Sequence, residues 1–202
     1  MSNSDYYCQK ATETDDIGKI AKYIHLTDPY IYPAICENPD DEAWQSFICQ
    51  CLKKQGNIYH LNNIFVIKIA DEPVGIACVI PCGKKLTVTD GIAVPVSLKK
   101  GMDLAVNGYF NPLIEESEHF DGYNIVNVCV DEHHRGKGVG KMLMTHCLKE
   151  YGSQTIHLDV IVSNKAAVQL YQKLGFIIQN EYPGFSGNDI EVPCYHMVRP
   201  AG

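Results

Sequence analysis

The sequence predicts an α/β fold in which helices flank a single mixed β-sheet. Segments with strand character and segments with helical periodicity alternate along the chain, which is typical of this fold class. The 202 residues, of which 46% are hydrophobic and 20% charged, suit one ordinary globular domain with a real core. No repeat, low-complexity tract or linker divides the chain, so residues 1–202 are predicted to form one domain whose last strands are antiparallel.

Charge and composition exclude several classes of protein. The net charge of −7 argues against non-specific nucleic-acid binding, which depends on a positive surface. No apolar run approaches the roughly 20 residues of a membrane span, and the first residues lack a basic flank followed by an apolar stretch. The nine cysteines are odd in number and irregularly spaced, so they are predicted to be reduced thiols. The sequence therefore predicts a soluble, cytoplasmic protein without nucleic-acid or membrane partners.

Two helices and a hairpin are predicted in the first 81 residues. The elements are, in order, an edge strand at 7–11, a helix at 14–26, a helix between Asn38 and Gly56, and strands at 57–70 and 74–81. Thr14 is the predicted N-cap of the first helix, because aspartates follow it and apolar residues then recur at helical spacing. Asn38 is the predicted N-cap of the second, since Pro39 suits the first helical position. The turn residues 71–73 join the two strands.

Helices and strands alternate again in the last 80 residues. Residues 82–122 lack clear periodicity, and only a short helix near Asn111 is predicted there. The later elements are predicted as a strand at 124–130, a helix at 139–151, a strand at 155–162, a helix at 164–174, a strand at 176–180 and a strand near 195–198. Gly152 and Gly175 come directly after the two helices, as glycines commonly do.

A glycine-rich loop follows the strand at 124–130 and leads into the next helix. Its sequence, Arg135-Gly136-Lys137-Gly138-Val139-Gly140, places glycines and cations where backbone amides at a helix start point outward. In a chain of net charge −7, this local positive charge, to which Lys141 adds, predicts an anion site. The spacing fits neither G-x-x-x-x-G-K-S/T nor G-x-G-x-x-G, two loops of nucleotide-binding proteins. It fits R-x-x-G-x-G/A.

This loop resembles the acetyl-coenzyme A signature of the GCN5-related N-acetyltransferases. Residues 164–176 match a second motif of that family, N-x-x-A-x-x-x-Y-x-x-x-G-F. The two motifs span Val128 to Phe176, about a quarter of the chain, and occur in the family's order. The resemblance implies the acyl-CoA N-acyltransferase fold, whose mixed sheet is largely antiparallel, with acetyl-coenzyme A (acetyl-CoA) as co-substrate and an amine as acceptor.

The resemblance also implies roles for residues of both motifs. The pantetheine arm of the cofactor is expected along the strand residues Val128, Cys129 and Val130, with the backbone of Val128 and Val130 as hydrogen-bonding groups. The pyrophosphate is expected on the amides of Arg135, Gly136, Lys137, Gly138, Val139 and Gly140. Asn164 matches a residue that hydrogen-bonds the arm. Tyr171 matches the usual general acid, which protonates the departing thiolate; its alternative is a packing tyrosine on an apolar helix face.

The sequence does not decide which residue is the general base or which residues form the acceptor pocket. The amine must lose a proton before it attacks, and Asp159 lies where the ribosomal-protein alanine acetyltransferases of this family carry a glutamate with that role. The aspartate side chain is one methylene shorter than glutamate and therefore reaches less far. The alternative interpretation of Asp159 is a polar residue on the solvent side of a strand. The further candidates for the base are Glu115, Glu116, His119 and Asp121. Candidate aromatic residues of the acceptor pocket, which would favour an amine on an apolar or aromatic body, are Tyr30, Tyr32, Tyr109 and Phe110.

The function expected from these residues is acetyl transfer to a small primary amine by direct attack in a ternary complex. No Cys, Ser or Lys stands in a recognisable nucleophile arrangement. The adjacent His133 and His134 are expected to be neighbours of the phosphate or solvated rather than metal-binding. The alternatives are a protein N-terminal or lysine acetyltransferase and a catalytically silent module that binds coenzyme A. Sheet domains of this kind often pair through edge strands, so a homodimer and a monomer both stay open.

Overall fold

Seven strands form one sheet in the computed structural model, which describes residues 5–83, 86–106, 120–184 and 192–202. The strands are β1 Tyr6–Lys10, β2 Ile64–Ile69, β3 Glu72–Pro81, β4 Tyr123–Val130, β5 Ile156–Ile161, β6 Ile177–Pro183 and β7 Pro193–Arg199. Their order across the sheet is β1-β2-β3-β4-β5-β7-β6. Only β4 and β5 are parallel neighbours, and the other pairs in this sheet are antiparallel. The predicted mixed, largely antiparallel sheet is confirmed.

Helices cover both faces of this sheet. They are α1 Ile17–His25, α2 Ile31–Ile35, α3 Glu42–Lys53, α4 Lys99–Ala105, α5 Val139–Tyr151 and α6 Lys165–Lys173. The first four pack against one face and the last two against the other, so the sheet separates two apolar clusters. None of the helices in the described ranges is long and apolar enough to cross a bilayer.

Two predicted helix N-caps are wrong by two or three residues. Asp16, not Thr14, caps α1, since its carboxylate accepts a hydrogen bond from the amide three residues on at 3.0 Å. Asp41, not Asn38, caps α3 and accepts from the amides two and three residues on at 2.8 and 3.1 Å. The side chain of Asn38 instead accepts from the amide two residues on at 3.0 Å, which builds the turn before the helix.

Two other segments differ from the sequence prediction. The hairpin of β2 and β3 is confirmed, but β2 begins at Ile64, because residues 57–63 form a turn around the buried Asn57. The amide nitrogen of that side chain donates to the carbonyl of Val88 at 2.7 Å, and its oxygen accepts from the amide of Tyr59 at 2.9 Å. The unpredicted helix α4 lies within 82–122, whereas the helix predicted near Asn111 falls outside the described residues.

A buried ion pair ties the segment before α1 to β2. Lys68 and Asp15 form this pair, and their side chains are 8% and 0% exposed. The amide and hydroxyl of Thr12 also donate to the Asp15 carboxylate, at 2.7 and 3.0 Å. Burial alone would raise the pKa of this carboxyl, but the bonds from Lys68 and Thr12 outweigh it and hold the pKa below its usual value.

The strand β4 carries one extra residue where it separates from β5. Its pairing with β5 ends at Ile125 and Leu158. In its pairing with β3, Cys78 lies opposite Asn127 and Val79 opposite Ile125, so Val126 between them forms a β-bulge. Beyond this bulge β4 and β5 diverge, and the sheet opens into a gap.

Candidate active site

The gap between β4 and β5 leads into a cleft lined from both faces of the sheet. Its walls include Ile125, Val126, Asn127 and Val128 of β4, Asp159, Val160 and Ile161 of β5, and Asn164 and Tyr171 at α6. Six residues singled out in the sequence therefore meet in one place: Tyr30, Tyr32, Val128, Asp159, Asn164 and Tyr171. Cys129 and Val130 are not among the lining residues, because their side chains pack into the two apolar clusters on opposite faces of the sheet.

The glycine-rich loop has the backbone that its sequence suggests. Gly136 and Gly138 have positive φ angles of 73° and 80°, a region that favours glycine. Gly138 is the N-cap of α5 and offers no side chain to the first amides of this helix, whose first turn holds no acidic residue. A Cβ atom built on either glycine meets no atom of the described residues within 4 Å, so these residues leave the surface above the loop open. Such a helix start can hold a phosphate group.

Two cationic side chains of the loop also donate hydrogen bonds to backbone carbonyls. Arg135 donates from Nε to the carbonyl of Val130 at 2.8 Å, and this bond ties the loop to the end of β4. Lys137 donates from Nζ to the carbonyl of His133 at 2.7 Å. Both side chains are exposed, so their charge remains available at the surface of the loop.

Tyr171 lies on the face of the sheet covered by α5 and α6. Its side chain is 7% exposed, and its ring packs beside Phe176 with the ring centroids 5.9 Å apart. Burial raises the pKa of Tyr171 to about 12. The phenol is therefore protonated at neutral pH and lines the cleft as a proton donor.

Asn164 has a structural task as well as a place in the cleft. It is the N-cap of α6, and its side-chain oxygen accepts from the amide of Ala167 at 3.2 Å. The amide nitrogen of the same side chain keeps two protons to donate. One residue can thus start α6 and still present a hydrogen-bond donor to the cleft.

Asp159 belongs to a line of polar side chains on the opposite face of the sheet from Tyr171. It lies directly across from His196 of β7, and its carboxylate is 3.0 Å from Nδ1 of that ring. His157, two residues earlier on β5, shares the same face because side chains alternate along a strand. The two imidazoles are 3.3 Å apart at their nearest nitrogens, and His157 Nε2 lies 3.2 Å from the carbonyl oxygen of Asp121.

The sequence interpretation missed both histidines of this line. The alternation of His157 and Asp159 within the strand predicted at 155–162 already placed them on one face. His196 lay in the predicted last strand, but only the register of β5 against β7 brings it to Asp159. Of the other candidate bases, Asp121 contributes its backbone carbonyl to the line. Glu115, Glu116 and His119 lie outside the described residues.

A hydrogen-bonded wall forms the side of the cleft toward α1 and α2. The hydroxyls of Tyr32 and Tyr59 are 2.5 Å apart, and Asn127 donates to Tyr32 at 3.0 Å and to Thr27 at 2.6 Å. Tyr30 also lines the cleft and is 40% exposed. The predicted aromatic candidates Tyr30 and Tyr32 are therefore at the cleft, whereas 109 and 110 lie outside the described residues.

The charged groups of the cleft have one sign. Among its lining residues in the described part of the chain, the charged side chains are the carboxylates of Asp28 and Asp159. The Asp28 carboxylate is fixed by the amides of Tyr30 and Ile31, each at 2.7 Å. This arrangement favours a cation such as a protonated amine over an anion.

Comparisons with known proteins agree with this architecture. The model of the acetyltransferase (GNAT) family matches residues 25–176. A curated relative, the ribosomal protein bS18-alanine N-acetyltransferase of Salmonella typhimurium strain LT2, is 37% identical over 76 residues, which are 34% of this chain and 51% of that protein. The chain thus spans about half the length of the curated relatives it matches first.

Solved structures share the fold over nearly the whole chain. An N-acetyltransferase from Staphylococcus aureus Mu50 superposes with a TM-score of 0.73 and 18% identity, covering 95% of this chain and 99% of that one. A structure from Corynebacterium glutamicum, described as histone acetyltransferase HPA2 and related acetyltransferase, has a TM-score of 0.65 and 22% identity, covering 98% and 97%. At these identities the likeness concerns the fold alone.

Proposed function

Because the chain belongs to the acetyltransferase (GNAT) family, we propose that it transfers the acetyl group of acetyl-coenzyme A to a primary amine. One observation carries this proposal: the cleft between β4 and β5 has Tyr171 on one side and Asp159 on the other. A proton donor and a proton acceptor thus face the same gap from opposite faces of the sheet. General acid and general base catalysis of acyl transfer to an amine use such a pair.

The residues present fit acetyl-coenzyme A as the donor substrate. The uncapped start of α5 and the open, left-handed Gly136 and Gly138 suit a pyrophosphate, and Arg135 and Lys137 add positive charge. Asn127 and Val128 of β4, beyond its bulge, and Asn164 line the cleft. We assign these groups to the pantetheine arm.

Tyr171 and Asp159 take complementary parts in the proposed reaction. The ammonium form of the acceptor loses one proton to Asp159, and the neutral nitrogen attacks the carbonyl carbon of the thioester. The C–N bond forms, the C–S bond breaks, and the departing sulfur takes a proton from Tyr171, whose phenol is restored by the second proton that the nitrogen loses. The reaction is direct, so no acetylated side chain of the protein is formed.

The acceptor we propose is a small primary amine on an apolar or aromatic body. The cleft supports this choice with the carboxylates of Asp28 and Asp159 and with the aromatic wall of Tyr30, Tyr32 and Tyr59. A protein N-terminus is the second candidate, because a relative of 37% identity over 76 residues is named a ribosomal protein alanine N-acetyltransferase. A lysine side chain presents the same ammonium group and belongs in the same comparison.

The first experiment measures the release of free thiol from acetyl-coenzyme A. The acceptors are a panel of small amines, amino acids, polyamines, lysine peptides and alanine-starting peptides at pH 7 to 9. One responding class would establish the transfer and identify the acceptor. If acetyl-coenzyme A raises the melting temperature but no acceptor responds, the protein is the silent binding module considered above, and the catalytic proposal is wrong.

Tyr171→Phe tests the proposed acid. Loss of the phenolic proton should lower kcat about 100-fold or more, within the range that general acid catalysis contributes. The thermal shift caused by acetyl-coenzyme A should stay, because the ring still packs beside Phe176. Tyr151→Phe removes the same hydroxyl from a tyrosine of α5 that does not line the cleft, and it should leave kcat unchanged. Equal kcat in both variants would exclude Tyr171 as the acid.

A further inference from the structure

Three hydrogen bonds form an unbroken line from the cleft to the backbone beside β4. They join Asp159 Oδ1 to His196 Nδ1 at 3.0 Å, His196 Nε2 to His157 Nδ1 at 3.3 Å, and His157 Nε2 to the carbonyl oxygen of Asp121 at 3.2 Å. The ring of Phe120 stacks on both imidazoles, with centroid distances of 4.7 and 5.3 Å. Both histidines are at most 9% exposed, so Phe120 and the sheet shield the line from bulk water.

The hydrogen-bonding groups at the two ends of this line, a carbonyl oxygen and a carboxylate, determine how many protons the two histidines must share. A carbonyl oxygen only accepts, so His157 must carry a proton on Nε2 to bond Asp121. A neutral His157 then has a bare Nδ1, which accepts from Nε2–H of His196. A neutral His196 would turn its own bare Nδ1 toward the Asp159 carboxylate, and two acceptors would face each other. The line is complete only when one further proton lies between His196 and Asp159.

We propose that His196 and His157 are positioning residues that make Asp159 a proton acceptor for the attacking amine. This inference rests on the proposed function. When the pair of His196 and Asp159 lacks its extra proton, the ammonium group gives one to Asp159, where it fills the vacant position in the bond to His196. Its nitrogen then attacks the thioester and loses a second proton, which restores the phenol after Tyr171 protonates the sulfur. The stored proton leaves to solvent after turnover, so atoms and charges balance.

Contact with the histidines makes Asp159 a better proton acceptor than an isolated aspartate. An isolated aspartate has a pKa of about 4 and a primary amine one of about 10, so the carboxylate alone is a poor acceptor. A carboxylate and an imidazole in contact titrate as a unit, and an adjacent carboxylate favours the protonated imidazole. Burial lowers the pKa of His157, which keeps this ring neutral and leaves the extra proton on the pair of His196 and Asp159.

Other titratable groups near the line leave this assignment intact. In the described part of the chain, Asp121 lies before β4 at one end, and Cys194 lies on β7 near Asp159 at the other. The carboxylate of Asp28 lines the same cleft as Asp159, and its negative charge favours the protonated form of the pair. Burial raises the pKa of the Cys194 thiol to about 11, so it is uncharged at neutral pH. The neighbour of His196 in the register of β6 is Asn180, which does not titrate.

Nitrogen NMR of the whole chain labelled with ¹⁵N-histidine tests the proton count without any turnover. We expect His157 to stay neutral with its proton on Nε2 from pH 6 to 8. His196 should be protonated up to a higher pH than the ordinary midpoint of about 6.5, and Asp159→Asn should lower that midpoint by one pH unit or more. A His196 midpoint that is the same in both proteins would overturn the proposal.

Steady-state kinetics tests the role in catalysis, with the acceptor that responds best in the thiol-release panel. His196→Gln should lower kcat at pH 7 at least tenfold and leave KM for acetyl-coenzyme A within about twofold, since a base contributes 10²–10⁴. The deficit should shrink toward pH 10, where bulk solvent deprotonates the amine. The control, His146→Gln on α5, changes a histidine outside the line that contacts Phe65 and should keep the wild-type profile.

The outcomes separate this inference from the proposed function. If the wild-type protein transfers acetyl groups and His196→Gln loses activity equally at every pH, the histidines have only a structural role and the inference is wrong. The same holds if His196→Gln is fully active. If the wild-type protein releases no thiol with any acceptor, the proposed function fails first and the inference fails with it, whatever the NMR midpoints are.

Discussion

Asp15 ties the segment before α1 to the second strand of the sheet through its buried contact with Lys68. Such a pair is costly to break by removal of one partner, because the other charge is then left in a poorly solvated place. The pair lies away from the cleft, so it bears on stability rather than on the proposed chemistry. It also gives the stability of the fold a defined dependence on pH.

Asp15→Ala should destabilise the protein by about 3–5 kcal/mol, measured by urea unfolding at pH 7. The double variant Asp15→Ala with Lys68→Met should recover much of this loss, because no unpaired charge stays buried. A double variant as unstable as the single one would show that packing, rather than charge, accounts for the effect.

Acid should weaken the wild-type fold through the same carboxyl. The folded-state pKa of Asp15 is depressed, so its contribution to stability is present above the unfolded-state pKa of about 4 and is lost as pH falls through the lower folded value. Between pH 5 and 3 the wild-type protein should lose more unfolding free energy than the double variant. Parallel pH profiles of the two proteins would contradict this explanation.

Individual site residues were predicted most directly where a motif fixes their spacing. Tyr171 and Asn164 stand at fixed positions of one motif, and both line the cleft. His196 is distant in sequence from Asp159 and meets it only through the register of two strands. A motif carries local spacing but not register, so the sequence could suggest Asp159 but not its partners.

At the scale of elements, the start of α5 depends on backbone conformations that glycine alone adopts readily. Gly138 is left-handed and lies immediately before the first helical residue, whereas Gly140 is inside the helix with ordinary angles. A Cβ on Gly140 would be 3.7 Å from Leu170 and from Val130, which is normal contact. The backbone conformation therefore favours glycine at position 138, whereas at position 140 both the backbone angles and the neighbouring atoms would accept alanine.

Gly138→Ala should lower the unfolding free energy by about 1–2 kcal/mol, the cost of a left-handed L-residue, and weaken coenzyme A binding. Gly140→Ala is the matched control: it should be neutral or stabilise α5 by up to about 1 kcal/mol, because alanine is the better helix former. Urea unfolding measures the first quantity and titration calorimetry with coenzyme A the second. If the two variants have equal stability, the backbone explanation is wrong.

Helices were easier to predict than their ends. The apolar periodicity of α1, α3, α5 and α6 follows from burial of one face, and that periodicity is visible in the sequence. The caps of α1 and α3 compete with neighbouring Asp, Asn and Thr side chains for the same amides. The loop before each helix decides that competition, as when Asn38 builds a turn and leaves Asp41 to cap α3.

For the molecule as a whole, the divergence of β4 and β5 opens a gap in an otherwise continuous sheet. Helical and strand periodicities predict a mixed α/β sheet, and the family motifs predict where the cofactor binds. The divergence begins next to Val126, an extra residue relative to β3, and no local pattern in the sequence marks this bulge. Tyr171 and Asp159 line the resulting cleft from opposite faces of the sheet.

Deletion of Val126 should close the gap between β4 and β5. Without the bulge, β4 can continue its pairing with β5 beyond Ile125 and Leu158, and the thermal shift caused by acetyl-coenzyme A should be lost. Val126→Ala keeps the length of the strand and should keep the shift. Circular dichroism checks that both variants are folded. A folded deletion variant with the full thermal shift would show that the bulge does not create the cleft.

The bulge also changes how this stretch of the gene tolerates insertions and deletions. Val126 and Asn127 both face the α1–α4 side, so removal of Val126 restores strict alternation and leaves every later residue on its present face. Loss of one codon from a regular strand instead reverses the faces of every residue after it. If the deletion closes the gap between β4 and β5 as expected, a single codon gained or lost at this position separates a closed sheet from an open one without repacking the core. The gap would then arise in one mutational event.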